Sequence, residues 1–220
     1  ALAAQAAIPA DVLENLASSD LTKRFEAETK LRQLAYAAGK PGTDPATAAA
    51  LEKDLLALAS DTAAPQPSRL SALGQLPFLA SASSVPGLSA LRSDSTPLIR
   101  EGARCALQNN PDPAASAPLL QALEKADQPA WTLGLMNSLA TRADASAIPA
   151  FASRLTSPNP AIASLAAQSL GSLGGKEALK ALNNFLPNCP PAILSAAQGA
   201  LVRCATKQAD GDKAISALWP

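Results

Sequence analysis

The chain has 220 residues, 18 Lys and Arg against 18 Asp and Glu, and no histidine, so its formal net charge is zero. That balance leaves no electrostatic footprint for nucleic acid or an anionic membrane surface. The missing imidazole removes Ser-His-Asp and Cys-His catalysis and any His-ligated zinc or iron site. Apolar residues make up 48% of the chain but aromatics only 3%. Ala and Leu supply most of that fraction, which favours helix over strand and predicts an all-α protein.

In chain order, the opening run ALAAQAA carries Ala-x-Ala patterns like those at signal-peptidase sites, which favours a processed, exported chain over a mere boundary in an Ala-rich protein. Pro9 to Leu16 and Leu21 to Ala37 form a first helix pair with Ser19 or Asp20 as N-cap. Gly39 to Pro45 is a loop. The whole chain divides into helix-pair repeats at 8–40, 45–81, 84–110, 113–142, 145–174 and 175–206, with a partial seventh at 210–220, all in one solenoid domain 1–220. In the second repeat Pro65 and Pro67 replace an in-register proline and predict an irregular turn. The run Ala214-Ile215-Ser216-Ala217-Leu218 copies Ala147-Ile148-Pro149-Ala150-Phe151, as the first helix of a seventh repeat would. Its lack of a polar outer face favours a fragment of a longer protein over a C-terminal cap.

Three markers fix the repeat. Each second helix aligns on one leucine: Leu31, Leu73, Leu107, Leu139, Leu170 and Leu201, at spacings of 42, 34, 32, 31 and 31 residues. Pro97, Pro129, Pro160 and Pro191 each lie ten residues before that leucine, where a missing N–H costs nothing because it has no intrahelical partner. Asp94, Asp127, Ser157 and Asn188 precede them and suit turns and N-caps. Pro86, Pro118 and Pro149 lie eleven residues further upstream and open the first helices. Within the second helices Ile162, Ala166, Ser169, Leu170 and Leu173 share one side, as do Ile99, Ala103, Ala106 and Leu107. First helices repeat the stripe in Val85, Leu88, Leu91 and in Ile148, Phe151, Leu155. One pair cannot bury these faces alone, so stacking must complete the core.

The stretches SVPGLSALRSDSTPLIREGARCAL and AIPAFASRLTSPNPAIASLAAQSLGSLG resemble HEAT repeats of the short bacterial kind. Ile99-Arg100, Ala103, Ala106 and Leu107 fit that family's phrase, and Ala166, Ala167, Leu170, Gly171, Leu173 and Gly174 fit it again. The resemblance covers nearly the whole chain, with repeats one, two and four degenerate. Repeat four has Trp131 in the Ile slot, where it packs inside, and Leu135 and Met136 where alanines belong. The resemblance implies an armadillo-type α-α superhelix, a right-handed solenoid of about six antiparallel pairs. It also implies a concave face lined by second helices, where partners dock.

Candidate chemistry is thin. No His-Glu motif exists for the di-iron of some HEAT-type enzymes. The pairs Glu26/Glu28 and Asp210/Asp212 are spaced by two and read as solvated surface. Gly171, Gly174 and Gly175 follow no strand, so helix termination outweighs a phosphate loop. Cys105, Cys189 and Cys204 form no CxxC pair. Cys189 and Cys204 lie roughly 22 Å apart along a helix, beyond disulfide reach, which points to free, mostly buried thiols. Arg104 beside Cys105 is expected to lower its pKa, yet an incidental thiol outweighs a nucleophile. What remains is a surface. The predicted partner-binding residues are Glu101, Arg104, Gln108, Met136, Asn137, Gln168, Gln198 and Arg203, with Ser172 and Val202 alongside. One amide per repeat could hold an extended peptide backbone, although ordinary solvated surface is the favoured reading of these amides.

The leading expectation is a non-catalytic scaffold, without cofactor or metal, that binds a protein or peptide on this face. The alternatives are a bilin-lyase-like protein that handles a chromophore and, disfavoured by the zero charge, a HEAT-like DNA-binding protein.

Overall fold

The computed structural model describes residues 7–207, and the run at 210–220 and the first six residues lie outside them. Twelve α-helices and five short 3-10 turns, with no strand, make up the described residues. The helices are α1 (Ala10–Leu16), α2 (Leu21–Ala38), α3 (Pro45–Ser60), α4 (Gln66–Gln75), α5 (Val85–Leu91) and α6 (Pro97–Asn109). There follow α7 (Ser116–Glu124), α8 (Pro129–Arg142), α9 (Ile148–Ala152), α10 (Pro160–Leu173), α11 (Gly175–Phe185) and α12 (Pro191–Thr206). They form two compact units, residues 1–115 and 116–220. Each unit is a run of α-solenoid, three pairs of a first and a second helix.

Local chemistry sets the boundaries. Asp20 is the N-cap of α2, its Oδ1 accepting from the Thr22 N–H at 2.8 Å and the Lys23 N–H at 3.3 Å. Asp44 caps α3, whose first residue is Pro45. Pro97, Pro129, Pro160 and Pro191 are the first residues of α6, α8, α10 and α12, as the orphan N–H rule demands. The N-caps of those helices are Thr96, Gln128, Asn159 and Pro190. Asp94 and Ser157 stand two residues earlier and receive the N-cap N–H instead. Pro65 is the N-cap of α4 and Pro67 its second residue, which is how the second repeat starts its helix without an in-register proline.

All six aligned leucines are buried. The stripes around them fill the core, with Ile99, Ala103 and Ala106 in α6 and Ile162, Ala166 and Ser169 in α10. Leu173, Ile148 and Trp131 are only half-buried, short of the interior positions the periodicity assigned them. Gly171 lies inside α10 and does not end it. A Cβ there would come within 2.7 Å of the Ala200 Cα and carbonyl O in α12, so this glycine sets how closely two second helices approach. Helix termination belongs to Gly174, at φ +73°.

Two buried charged groups in unit 1, Glu52 and Arg69, have partners. Glu52 accepts from the Ser81 N–H at 2.7 Å and from the Ser81 and Ser83 hydroxyls. Arg69 donates to the Ala59 carbonyl at 2.9 Å and pairs with Asp94 at 2.5 Å, with side chains 6% and 8% exposed. The Arg69 guanidinium, followed by the Thr96 N–H, holds the Asp94 carboxyl below its usual range.

Two predictions follow from packing and charge. Gly171→Ala destabilises by about 1–3 kcal/mol, because backbone cannot yield as a side chain can. Gly74→Ala in α4 meets nothing within 4 Å and stabilises by about 1 kcal/mol through helix propensity. Opposite shifts in thermal midpoint check the pair. Asp94→Asn leaves a buried guanidinium without its counter-ion and costs about 3–5 kcal/mol near neutral pH. Because the folded carboxyl is depressed, its contribution is whole above about pH 4 and vanishes as pH falls through the folded pKa. Denaturant titrations of the two proteins should therefore converge in acid and stay apart from pH 5 to 8.

Candidate functional site

At about 100° per residue, positions six and two before the aligned leucine, and five after it, point away from the buried stripe. Positions seven and three before, and one after, turn toward the next second helix. In α10 these are Ala163, Ala167 and Gly171, all buried, with Gly171 against Ala200 of α12. This division sorts the predicted binding residues. Glu101, Asn137 and Gln168 occupy the outward positions and are exposed. Arg104, Met136 and Gln198 are each three before their leucine, so they belong to the stacking side. Met136 is 0% exposed and Arg104 8%; Met136 therefore cannot anchor a partner from the surface. Gln198 stays exposed on α12, as do Val202, Ser172 and Arg203, while Gln108 is half-buried. The amides thus do not form one row, because Gln108 and Gln198 are out of register with Asn137 and Gln168.

Three of the predicted residues are occupied with one another. Arg104 Nε donates to Glu101 Oε2 at 2.8 Å, its Nη2 pairs with Glu101 Oε1, and its Nη1 donates to Gln108 Oε1 at 3.1 Å. Each partner favours the other's charge: Glu101 is held below its usual pKa mainly by the Arg104 bond, and Arg104 above its own mainly by Glu101. Gln168 Nε2 donates to the Ser164 hydroxyl at 3.2 Å.

The cysteines are free thiols; Cys204 is buried, and Cys105 and Cys189 are half-buried. Arg104 Nη2 lies 3.2 Å from the Cys105 sulfur, but burial and then the nearby Glu101 carboxylate outweigh it. The Cys105 pKa rises where the sequence pointed to a fall. Alkylation of Cys105 by iodoacetamide should still be climbing at pH 9, and Glu101→Gln should move its pH profile to lower values. A plateau below pH 8 in the parent protein would contradict this.

Outward apolar side chains form the feature that sequence reasoning missed. Leu21, Phe25 and Tyr36 on α2 are 70%, 66% and 59% exposed, and Phe78 is 49% exposed. Phe25 stands six before Leu31, Tyr36 five after Leu31, and Phe78 five after Leu73. Their signal was two aromatics off the core stripe in a chain with only four Phe and one Tyr. Separately, in unit 2, a groove of ≈ 820 Å³ lies on the first-helix side, between α9 and α11. Ile148, Pro149, Ala152, Leu155 and Phe185 line it, with Lys180 and Glu177 at its rim. Among the described residues no three Asp, Glu or Cys side chains cluster as a metal site, and no helix is long and apolar enough to cross a membrane.

Residues 116–202 match the family model for HEAT repeats. No curated protein matches the chain. Among solved structures, an engineered protein from the Northeast Structural Genomics Consortium aligns at a TM-score of 0.51 and 20% identity, covering 94% of this chain and 96% of that one. A designed armadillo repeat protein aligns at 0.49 and 17%, covering 88% and 98%. The complex of CpcE and CpcF of phycocyanin lyase from Nostoc sp. PCC7120 aligns at 0.49 and 20%, covering 94% and 91%. At 20% identity the first of these likenesses speaks to fold alone. The HEAT repeat is thus matched over residues 116–202 of the second unit, and the first unit is built from helix pairs of the same kind.

Proposed function

We propose that the protein is a non-catalytic scaffold or adaptor that binds a protein or peptide on the outward side of its second helices. The observation that carries this reading is the exposed set Leu21, Phe25 and Tyr36 on α2. Exposed aromatics along one helix side are what interfaces use as anchors, since they bury a large area at little entropic cost. Affinity capture from extracts of the source cells should recover a partner with the parent protein and lose it with Phe25→Ser/Tyr36→Ser. Recovery of no specific partner by intact bait would count heavily against the proposal.

A second reading, a chromophore-handling protein related to bilin lyases, draws support from the α9–α11 groove, whose volume falls in the range of small-molecule sites. Co-expression with bilin tests it: an unchanged absorbance spectrum of the purified protein ends that reading.

A further inference from the structure

The outward side of α2 has a sign as well as an apolar surface. Arg32, one after Leu31, falls at the stacking edge of this side, about 20° round the helix from Phe25 and about 40° from Tyr36, and in α2 it is exposed. Lys40 follows, its Nζ 4.9 Å from the Tyr36 ring centroid. Carboxylates near this side are engaged or turned away. Glu28 is half-buried and accepts from the Ser71 hydroxyl at 3.2 Å. Asp20 caps the helix, and Asp11 pairs with Lys30 at 3.2 Å on another side of α2. Glu26 falls about 100° round the helix from Phe25. The backbone of Phe78, whose side chain is exposed, passes close to the end of α2, because a Cβ on Gly39 would meet the Phe78 carbonyl at 2.5 Å. Phe78 therefore sits beside the last turn that carries Tyr36. Phe25 and Tyr36 are three turns apart, roughly 16 Å.

Resting on the binding reading above, we infer that the partner is an acidic peptide segment carrying at least two large apolar side chains. The apolar residues lie on Phe25 and on the Tyr36–Phe78 end, and the carboxylates meet Arg32 and Lys40. Arg32 can grip a carboxylate through two parallel N–H donors. Lys40, already over the Tyr36 ring, supplies a second positive charge that a basic segment would have to oppose.

Selection of a displayed library of random 16-residue peptides on the full chain tests this. The expected pool is net acidic with two or more large apolar residues. A synthetic member of it should bind at least tenfold more weakly to Arg32→Glu, and not detectably to Phe25→Ser/Tyr36→Ser. All three positions are surface positions, so circular dichroism should show the helices intact in both variants. A neutral or basic pool, or binding indifferent to these variants, overturns the inference while leaving the scaffold reading standing on its capture experiment. Self-association of the protein that the Ser variant abolishes, with no peptide enriched, replaces the partner by a second copy and equally overturns it. Enrichment of nothing at all contradicts both readings.

Discussion

Close stacking of second helices is the constraint on which the rest depends. Each pair exposes an apolar stripe that its own two helices cannot cover, and the neighbour covers it only if small residues permit close approach. Ala103 and Ala106 in α6 and Ala163, Ala167 and Gly171 in α10 are all buried. The contact of Gly171 with Ala200 is the limiting case, where even a methyl group has no room. Once stacking claims the buried stripe and the side facing the next helix, only the outward side of each second helix is left for a partner.

That division explains why residues close in sequence have opposite fates. Met136 and Asn137 are neighbours, yet one is fully buried and the other exposed, because one position along a helix is a 100° rotation. Arg104 shares the Met136 position and is buried too, but its guanidinium finds Glu101 and Gln108 within the same helix. A charge there serves the helix before it can serve a partner. The Cys105 thiol is drawn into the same cluster, where burial and the Glu101 carboxylate work against ionisation.

The helix pairs were legible in the sequence because proline and leucine mark them at fixed offsets, and each mark has a local cause. Pro97, Pro129, Pro160 and Pro191 sit where a helix can accept proline, so chain position alone located α6, α8, α10 and α12. The surface was less legible for two physical reasons. Taking one amide per repeat ignored rotation, which put Gln198 and Gln168 on different sides of their helices. In α2, moreover, apolar residues lie on two sides, Ala27, Leu31 and Ala35 inward and Phe25 and Tyr36 outward. A doubled stripe blurs the 3.6-residue period and makes the repeat look merely degenerate. The groove between α9 and α11 left no sequence mark, since it comes from the shortness of α9 and the turn after it.

The central claim is that the outward side of α2, and not the α9–α11 groove, receives the partner. Amide hydrogen exchange of the full chain, free and saturated with a captured or selected partner, reads both places in one experiment. The account predicts added protection concentrated in residues 21–40 and around Phe78, with α9 and α11 unchanged. Protection confined to residues 145–188, with α2 exchanging as in the free protein, would contradict it.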